Sequence, residues 1–329
     1  MASSAPRTDP AGLLRGGLKL PASVDPRRIN WFYALTVLAY HLLAVLAFLP
    51  GFFSWTGVAV AFAGTYVFGV LGINIGYHRL LTHRGFTCPK WFEHMLALLG
   101  VCCLQDSPAR WVASHRRHHH HADEREDPHS PLVGFFWGHV GWLLVENPDL
   151  GRLGAYDSYA KDVIRDPFYK RLERFYLVFA VIPWPVFFLA GFLGALVAGG
   201  TPAAALRTGT GIVLWGVAVR VVWVWHATWS VNSLGHLWGY RNYATDEASR
   251  NNWIAAIVAN GEGWHNNHHA DSRSALHGHR WWEVDVTWLI IRLLAGLGLV
   301  RQLAPPRPRL AAGRLVAIIT HTAEIPGEG

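Results

Sequence analysis

Nineteen histidines stand among the 329 residues of this chain, and nine of them fall into four tight clusters. These are His78-x-x-x-x-His83, His115-x-x-His118-His119, His236 preceded by Asn232, and His265-x-x-His268-His269. On a helix, positions i, i+3 and i+4 share a face, so each H-x-x-H-H run presents three imidazoles to one point. The adjacent members, His118/His119 and His268/His269, sit about 100° apart around a helix of 3.6 residues per turn, which lets each serve a different ion. The i, i+5 spacing of His78 and His83 shares no α-helical face and puts His78 at the end of a helix with His83 just beyond it. Nine imidazoles exceed what one transition metal takes and supply two ions with four or five ligands each.

Imidazole suits Fe, Zn, Cu and Ni, whereas structural zinc more often recruits Cys and catalytic zinc needs three protein ligands. A neutral, all-imidazole set leaves an electrophilic metal pair, suited to activating O₂ against an unactivated C–H bond. Asp106, Asp123, Asp127, Asp246 and Glu262 lie close in sequence and offer acceptors for ring N–H groups. His120 and His121 extend the central run, so spacing alone leaves its register open. His41, His94, His139, His277, His279 and His321 read as ordinary hydrogen-bonded or solvated residues.

Four apolar runs must position these clusters: about 31–49, 55–76, 175–197 and 211–231. Each nears the twenty residues a bilayer core demands. Trp31 and Trp55 open the first two runs, Trp184 lies within the third and Trp288 in a later apolar stretch, a tryptophan content that suits interfacial aromatic belts. The loop 50–54 has no Lys or Arg and the loop 198–210 has only Arg207. The positive-inside rule therefore puts both turns outside and both His-rich regions, 77–174 and 232–303, on the cytoplasmic side. The expected fold is an all-α integral membrane protein of four transmembrane helices in two hairpins, with a cytoplasmic helical cap carrying the His-rich centre. Residues 1–30 read as a disordered basic arm without an apolar signal region, 31–303 as the functional domain, and 304–329 as a flexible tail.

The net charge of +7 flanks apolar segments rather than forming a stripe, which points to an anionic membrane surface and away from nucleic acid. Cys88, Cys102 and Cys103 form no C-x-x-C pair and total an odd number, consistent with a reduced protein. A metal-transport path is disfavoured, because the spans hold few ionisable residues, mainly His41, Arg220 and His226, and the clusters lie outside them.

In order along the chain, GYHRLLTHRGF, HRRHHHHADEREDPHS, VNSLGHLWGYR and GEGWHNNHH resemble the boxes of the membrane fatty acid desaturase family. The similarity runs from about Gly76 to Trp288. The branch is that of animal stearoyl-CoA desaturases, cyanobacterial acyl-lipid desaturases and plant relatives acting between the ninth and tenth carbons. The family's DPH element, here Asp127-Pro128-His129, sets His115 as the first residue of its box and leaves His120 and His121 off it. The resemblance implies two iron ions: one on His78, His83, His115, His119 and His268, the other on His118, His236, His265 and His269 with a water held by Asn232. It also implies a bent acyl tunnel with Gln105, Trp111, Thr228 and Trp229 near the bend.

The implied reaction is O₂-dependent removal of two vicinal hydrogens from a saturated acyl chain, giving a cis double bond, with a hydroxylase or other oxygenase on the same scaffold as the alternative. No haem-binding HPGG element or ferredoxin-like Cys cluster is present in the sequence. Electrons are therefore expected from a separate carrier, ferredoxin or a cytochrome b type, with its reductase. The implied setting is a bacterial-type inner membrane with the active site and both termini cytoplasmic. One departure bears on substrate. Animal acyl-CoA enzymes resemble W-A-R-D-H-R, where this chain has Trp111-Val112-Ala113-Ser114-His115; the missing charges weaken acyl-CoA recognition and favour a glycerolipid, with both substrates left open.

Overall fold

The computed structural model describes residues 17–151, 156 and 158–307. Helices carry almost all of the regular structure, because long apolar stretches in lipid must satisfy every backbone group internally. Three are long and apolar enough to cross a membrane: α2 (Trp55–Thr82, 28 residues), α6 (Tyr176–Val197, 22 residues) and α7 (Pro202–Leu234, 33 residues). At 1.5 Å per residue the α-helical α6 reaches about 33 Å, against a hydrocarbon core of roughly 30 Å; α2 is π-wound over Thr65–Thr82 and α7 over Leu214–Val219. The expectation of four spanning helices in two hairpins is therefore corrected to three. The first apolar run forms only a 16-residue helix, α1 (Trp31–Leu46), about 24 Å long, because the chain turns through Ala47–Ser54, which contains Pro50-Gly51.

Other boundaries shift for local reasons. Much of the expected loop 198–210 is helical: Thr201 Oγ1 accepts from Ala204 N at 3.3 Å and Pro202 occupies the first turn, starting α7 early, as an N-cap followed by proline does. At the other end of α2, the helix runs six residues past the expected limit and carries His78 within it. α6 leaves Leu177, Val181, Leu189 and Leu193 exposed, a surface that lipid covers favourably.

The cap is built from shorter helices: α3 (Lys90–Val101), α4 (Pro108–His121), α5 (Pro167–Arg174), α8 (Trp253–Val258), α9 (His265–Ala270) and α10 (Val286–Gly296). α3 lies directly on α2. A Cβ at Gly72 would fall 2.3 Å from Gly100 N, and one at Gly100 would fall 2.4 Å from the Tyr77 ring, so only glycine permits this approach. The contact seats Ile73, Tyr77 and Leu81 in one buried cluster with Ala97, Val101 and Val112. Residues 17–30, expected as part of an unstructured arm, run along the cap, with Leu18 N donating to Leu132 O and Asn30 N to Leu144 O. The rest of that arm, 1–16, and the tail from 308 lie outside the described residues.

Candidate metal centre and adjoining cavity

Ser107 Oγ accepts from Arg110 N at 3.3 Å and Pro108 opens α4, so the helix starts four turns before its histidines end it. α9 is short, and its position depends on the two asparagines inside HNNHH, both fully buried. Asn266 Oδ1 accepts from the backbone N–H groups of Asn242 and Tyr243, each at 2.8 Å. Asn267 Oδ1 accepts from Asn242 and Asn251 side chains, and its amide donates to His277 O and to Glu283. These anchors fix which way the three α9 imidazoles point.

The nine histidines converge in two sets, His78, His83, His115, His119 and His268, and His118, His236, His265 and His269, each with ring nitrogens within 4.8 Å of one another. Neither H-x-x-H-H run serves a single point, as the shared-face argument had it. α4 sends its i, i+4 pair His115/His119 to the first set and His118 to the second; α9 sends His265/His269 to the second and His268 to the first. His83 N bonds to His78 O at 3.1 Å, closing an i→i+5 turn of the π-helical kind. That turn brings the two rings within 4.8 Å, which α-helical spacing would not.

Within the sets, Nε2 faces Nε2: His78 and His268 at 3.2 Å, His268 and His119 at 2.9 Å, and His119 and His115 at 3.2 Å. In the second set the separations are 3.4 Å for His118 and His269, and 3.0 Å for both His269–His265 and His265–His236. Three rings have their other nitrogen engaged: Nδ1 donates from His78 to Glu262 at 2.7 Å, from His118 to Asp127 at 2.9 Å, and from His236 to Asp123 at 2.8 Å. With Nδ1 as the donor, Nε2 of His78 and of His118 is left as a lone pair aimed at a neighbouring ring nitrogen, where a cation is stabilised.

His83 Nε2 is likewise buried without a partner. Burial, reinforced by neighbouring imidazoles, holds His83, His115, His119, His265, His268 and His269 well below the usual histidine range, in the neutral, metal-binding form. His236 differs: burial opposes its charge, but the Asp123 carboxylate prevails and raises it to about 9, so a metal at Nε2 would take the place of a proton. The donor set therefore fits two metal ions.

Of the five carboxylates singled out in the sequence, Asp123, Asp127 and Glu262 take ring N–H groups. Asp106 instead accepts from Tyr33 OH and pairs with Arg110, and among the described residues no hydrogen bond joins Asp246 to the nine. Sequence reasoning missed Arg79 and Asp285: the fully buried guanidinium bridges Glu262 and Asp285 at 2.8 to 3.0 Å. It also missed His277 and His129, which cluster with carboxylates as His78–Glu262–His277 and His118–Asp127–His129, so the surroundings of the sets are not purely imidazole. His120 is exposed and His121 pairs with Glu124 at 3.1 Å; neither belongs to a set.

A largely apolar cavity runs from α1, past the histidines, to α8. It is lined by Tyr33, Ile73, His78, Gln105, Trp111, Ser114, His115, Thr228, Trp229, Asn232 and His265, among others. Gln105, Trp111 and Thr228 are joined: Gln105 donates to Thr228 Oγ1 at 3.0 Å and accepts from Trp111 Nε1 at 3.4 Å. The Trp111 ring stacks on His115 at 4.9 Å, placing the cavity wall against the first set.

A family model described as fatty acid desaturase matches residues 53–293. Over 282 residues the chain is 43% identical to the sn-1 stearoyl-lipid 9-desaturase of Anabaena variabilis, covering 86% of this chain and 96% of that protein. It is 40% identical over 294 residues to the sn-2 palmitoyl-lipid 9-desaturase of Nostoc sp. (strain 36), covering 89% and 96%. The Acyl-CoA C20 Delta5-desaturase of Anemone leveillei is 36% identical over 297 residues, covering 88% and 89%. The chain therefore belongs to the fatty acid desaturase family and is an oxidoreductase.

Proposed function

We propose that this protein introduces a cis double bond between the ninth and tenth carbons of a saturated acyl chain carried on a glycerolipid. The observation that carries this reading is the lining of the cavity: an apolar channel long enough to pass from α1 to α8, walled on one side by two buried imidazole sets. The balanced reaction takes a saturated –CH₂–CH₂– unit, O₂, two electrons and two protons to –CH=CH– and two waters. Iron, when bound, supplies the O₂ chemistry. His78, His83, His115, His119 and His268 would hold one ion, and His118, His236, His265 and His269 the other, with Asn232 on the cavity wall holding a water.

The chain's own part is positioning. Trp111 and Trp229 press on the acyl chain, the Gln105–Thr228 bond closes the corner, and the apolar walls exclude bulk water. The carboxylates Glu262, Asp127 and Asp123 hold His78, His118 and His236 in the tautomer that leaves Nε2 free. We place residues 31–303 in one desaturase domain. The C-terminal end of the described chain lies against the cap, with Ala304 on Gly85; we place the cap and its active site on the cytoplasmic side of a bacterial-type inner membrane. A separate carrier, ferredoxin or a cytochrome b type with its reductase, brings the electrons.

Ala113 and Ser114 favour glycerolipid over acyl-CoA. Both are buried, and neither offers the charge-assisted bonds by which Arg holds phosphate. Expression in a host of defined lipid composition, followed by mass spectrometry of double-bond position, tests the reading. A Δ9 monoene in glycerolipids supports it; hydroxylated chains or unchanged lipids in cells containing the iron-loaded protein would reject it.

A further inference from the structure

Arg220 lies on α7 inside the apolar bundle with 0% of its surface exposed, and among the described residues no carboxylate is ion-paired with it. A guanidinium in that setting is costly and marks a function. What it holds is the buried end of α3. Arg220 Nη2 donates to Cys102 O at 3.0 Å, Nη1 contacts Cys103 Sγ at 3.7 Å, Nε donates to Gly216 O at 2.7 Å, and the guanidinium lies 4.4 Å from the Phe68 ring. The negative end of the α3 dipole favours a cation there. One turn further along α7, Trp225 Nε1 donates to Cys103 O at 2.8 Å and to Leu104 O at 3.2 Å.

The segment so clamped is strained. Leu104 and Asp106 have φ of +53° and +69°, a left-handed conformation that non-glycine residues keep only when their surroundings impose it. Between them stands Gln105, whose side chain reaches Thr228 and the Val224 carbonyl at the cavity corner. Arg220 itself does not line the cavity.

We propose that Arg220 is a positioning residue that, by clamping the turn Cys102–Asp106 against α7, sets the corner of the cavity and with it the carbon pair presented to the metal sets. This rests on the acyl-chain reading of the cavity. A displacement of about 1 Å at the corner is enough to change which hydrogens are within reach.

The test uses the full chain in host membranes with R220Q and G64A, reading double-bond position by mass spectrometry and metal per chain. In G64A the new Cβ would meet Arg220 Cδ at 2.7 Å, a milder push on the same side chain that keeps the test alive if R220Q fails to accumulate. The expected result is that minor positional isomers rise about tenfold in R220Q and by less in G64A, with metal content unchanged. Less product at an unaltered position in both variants would mean a merely structural role and would overturn the inference alone. A wild-type protein that makes no monoene would overturn the acyl reading, and this inference with it.

Discussion

Replacing Asp123 with asparagine should release one metal ion and leave the other. The Asp123 side chain is 6% exposed and ties three segments together: it accepts from His236 Nδ1 at 2.8 Å, Ser130 Oγ at 2.6 Å and Ala248 N at 2.8 Å. Asparagine keeps one acceptor oxygen, enough for one or two of these donors, but removes the charge that strengthens the His236 bond. A hydrogen bond to a charged group contributes about 1.5 to 3 kcal/mol, and 1.4 kcal/mol is tenfold in an equilibrium constant. The second set should therefore hold its ion roughly 10- to 150-fold more weakly. The assay is metal per chain after dialysis against a graded series of chelator concentrations, with D123N beside wild type. Two release steps are expected in the variant, the weaker shifted by one to two decades, because Asp123 touches only the second set. Coincident release curves for the two proteins would refute the idea that this carboxylate supports the site.

His119→Ala should abolish activity and lower metal content, whereas His120→Ala should leave both intact; equal loss in the two, by activity and elemental analysis, would mean the register of the run is misassigned. Arg79→Gln strands Glu262 and Asp285 in the interior without their shared cation. It should cost about 3 to 5 kcal/mol, seen as a large drop in unfolding temperature in detergent, and a near-wild-type value would contradict the bridge. Asp162, for which burial is outweighed by bonds from Arg116 and Arg84, is lowered from 3.8 to about 2. A lowered carboxyl stabilises the fold above its unfolded value and loses that contribution as pH falls towards the folded one. The stability gap between wild type and D162N should thus be present at pH 6 and narrower at pH 3; a gap that widens on acidification would contradict the assignment.

The family and its chemistry were legible because they sit in side-chain identity and order: the four boxes name the metal-binding residue type whatever the helices do. The matches to known desaturases bear out that expectation. How the imidazoles divide was less legible from spacing, because face-sharing on one helix says nothing of the opposing helix, and the crossed arrangement arises only when α4 and α9 meet. The His78–His83 contact escaped for a related reason, since a π-turn changes the periodicity that sequence reading assumes. Arg79 and Asp285 carried no signal, because they act through each other across 206 residues, and the two asparagines of α9 carried none because they act on loop partners whose placement only the fold sets. The first of the four spans was over-read: the apolar run extends to Leu49, just before Pro50-Gly51, but the helix within it stops at Leu46.

Turnover of a positionally labelled lipid distinguishes glycerolipid desaturation from the alternatives. Reconstituted, iron-loaded protein would receive phosphatidylglycerol bearing stearoyl deuterated at the ninth and tenth carbons, with reduced carrier and O₂ and no acyltransferase, alongside the equally labelled CoA ester. The expected product is a glycerolipid monoene that has lost two deuterium atoms, one from each labelled carbon, with slower turnover of the CoA ester. Retention of all the label, or a product that has gained oxygen instead of a double bond, would contradict it.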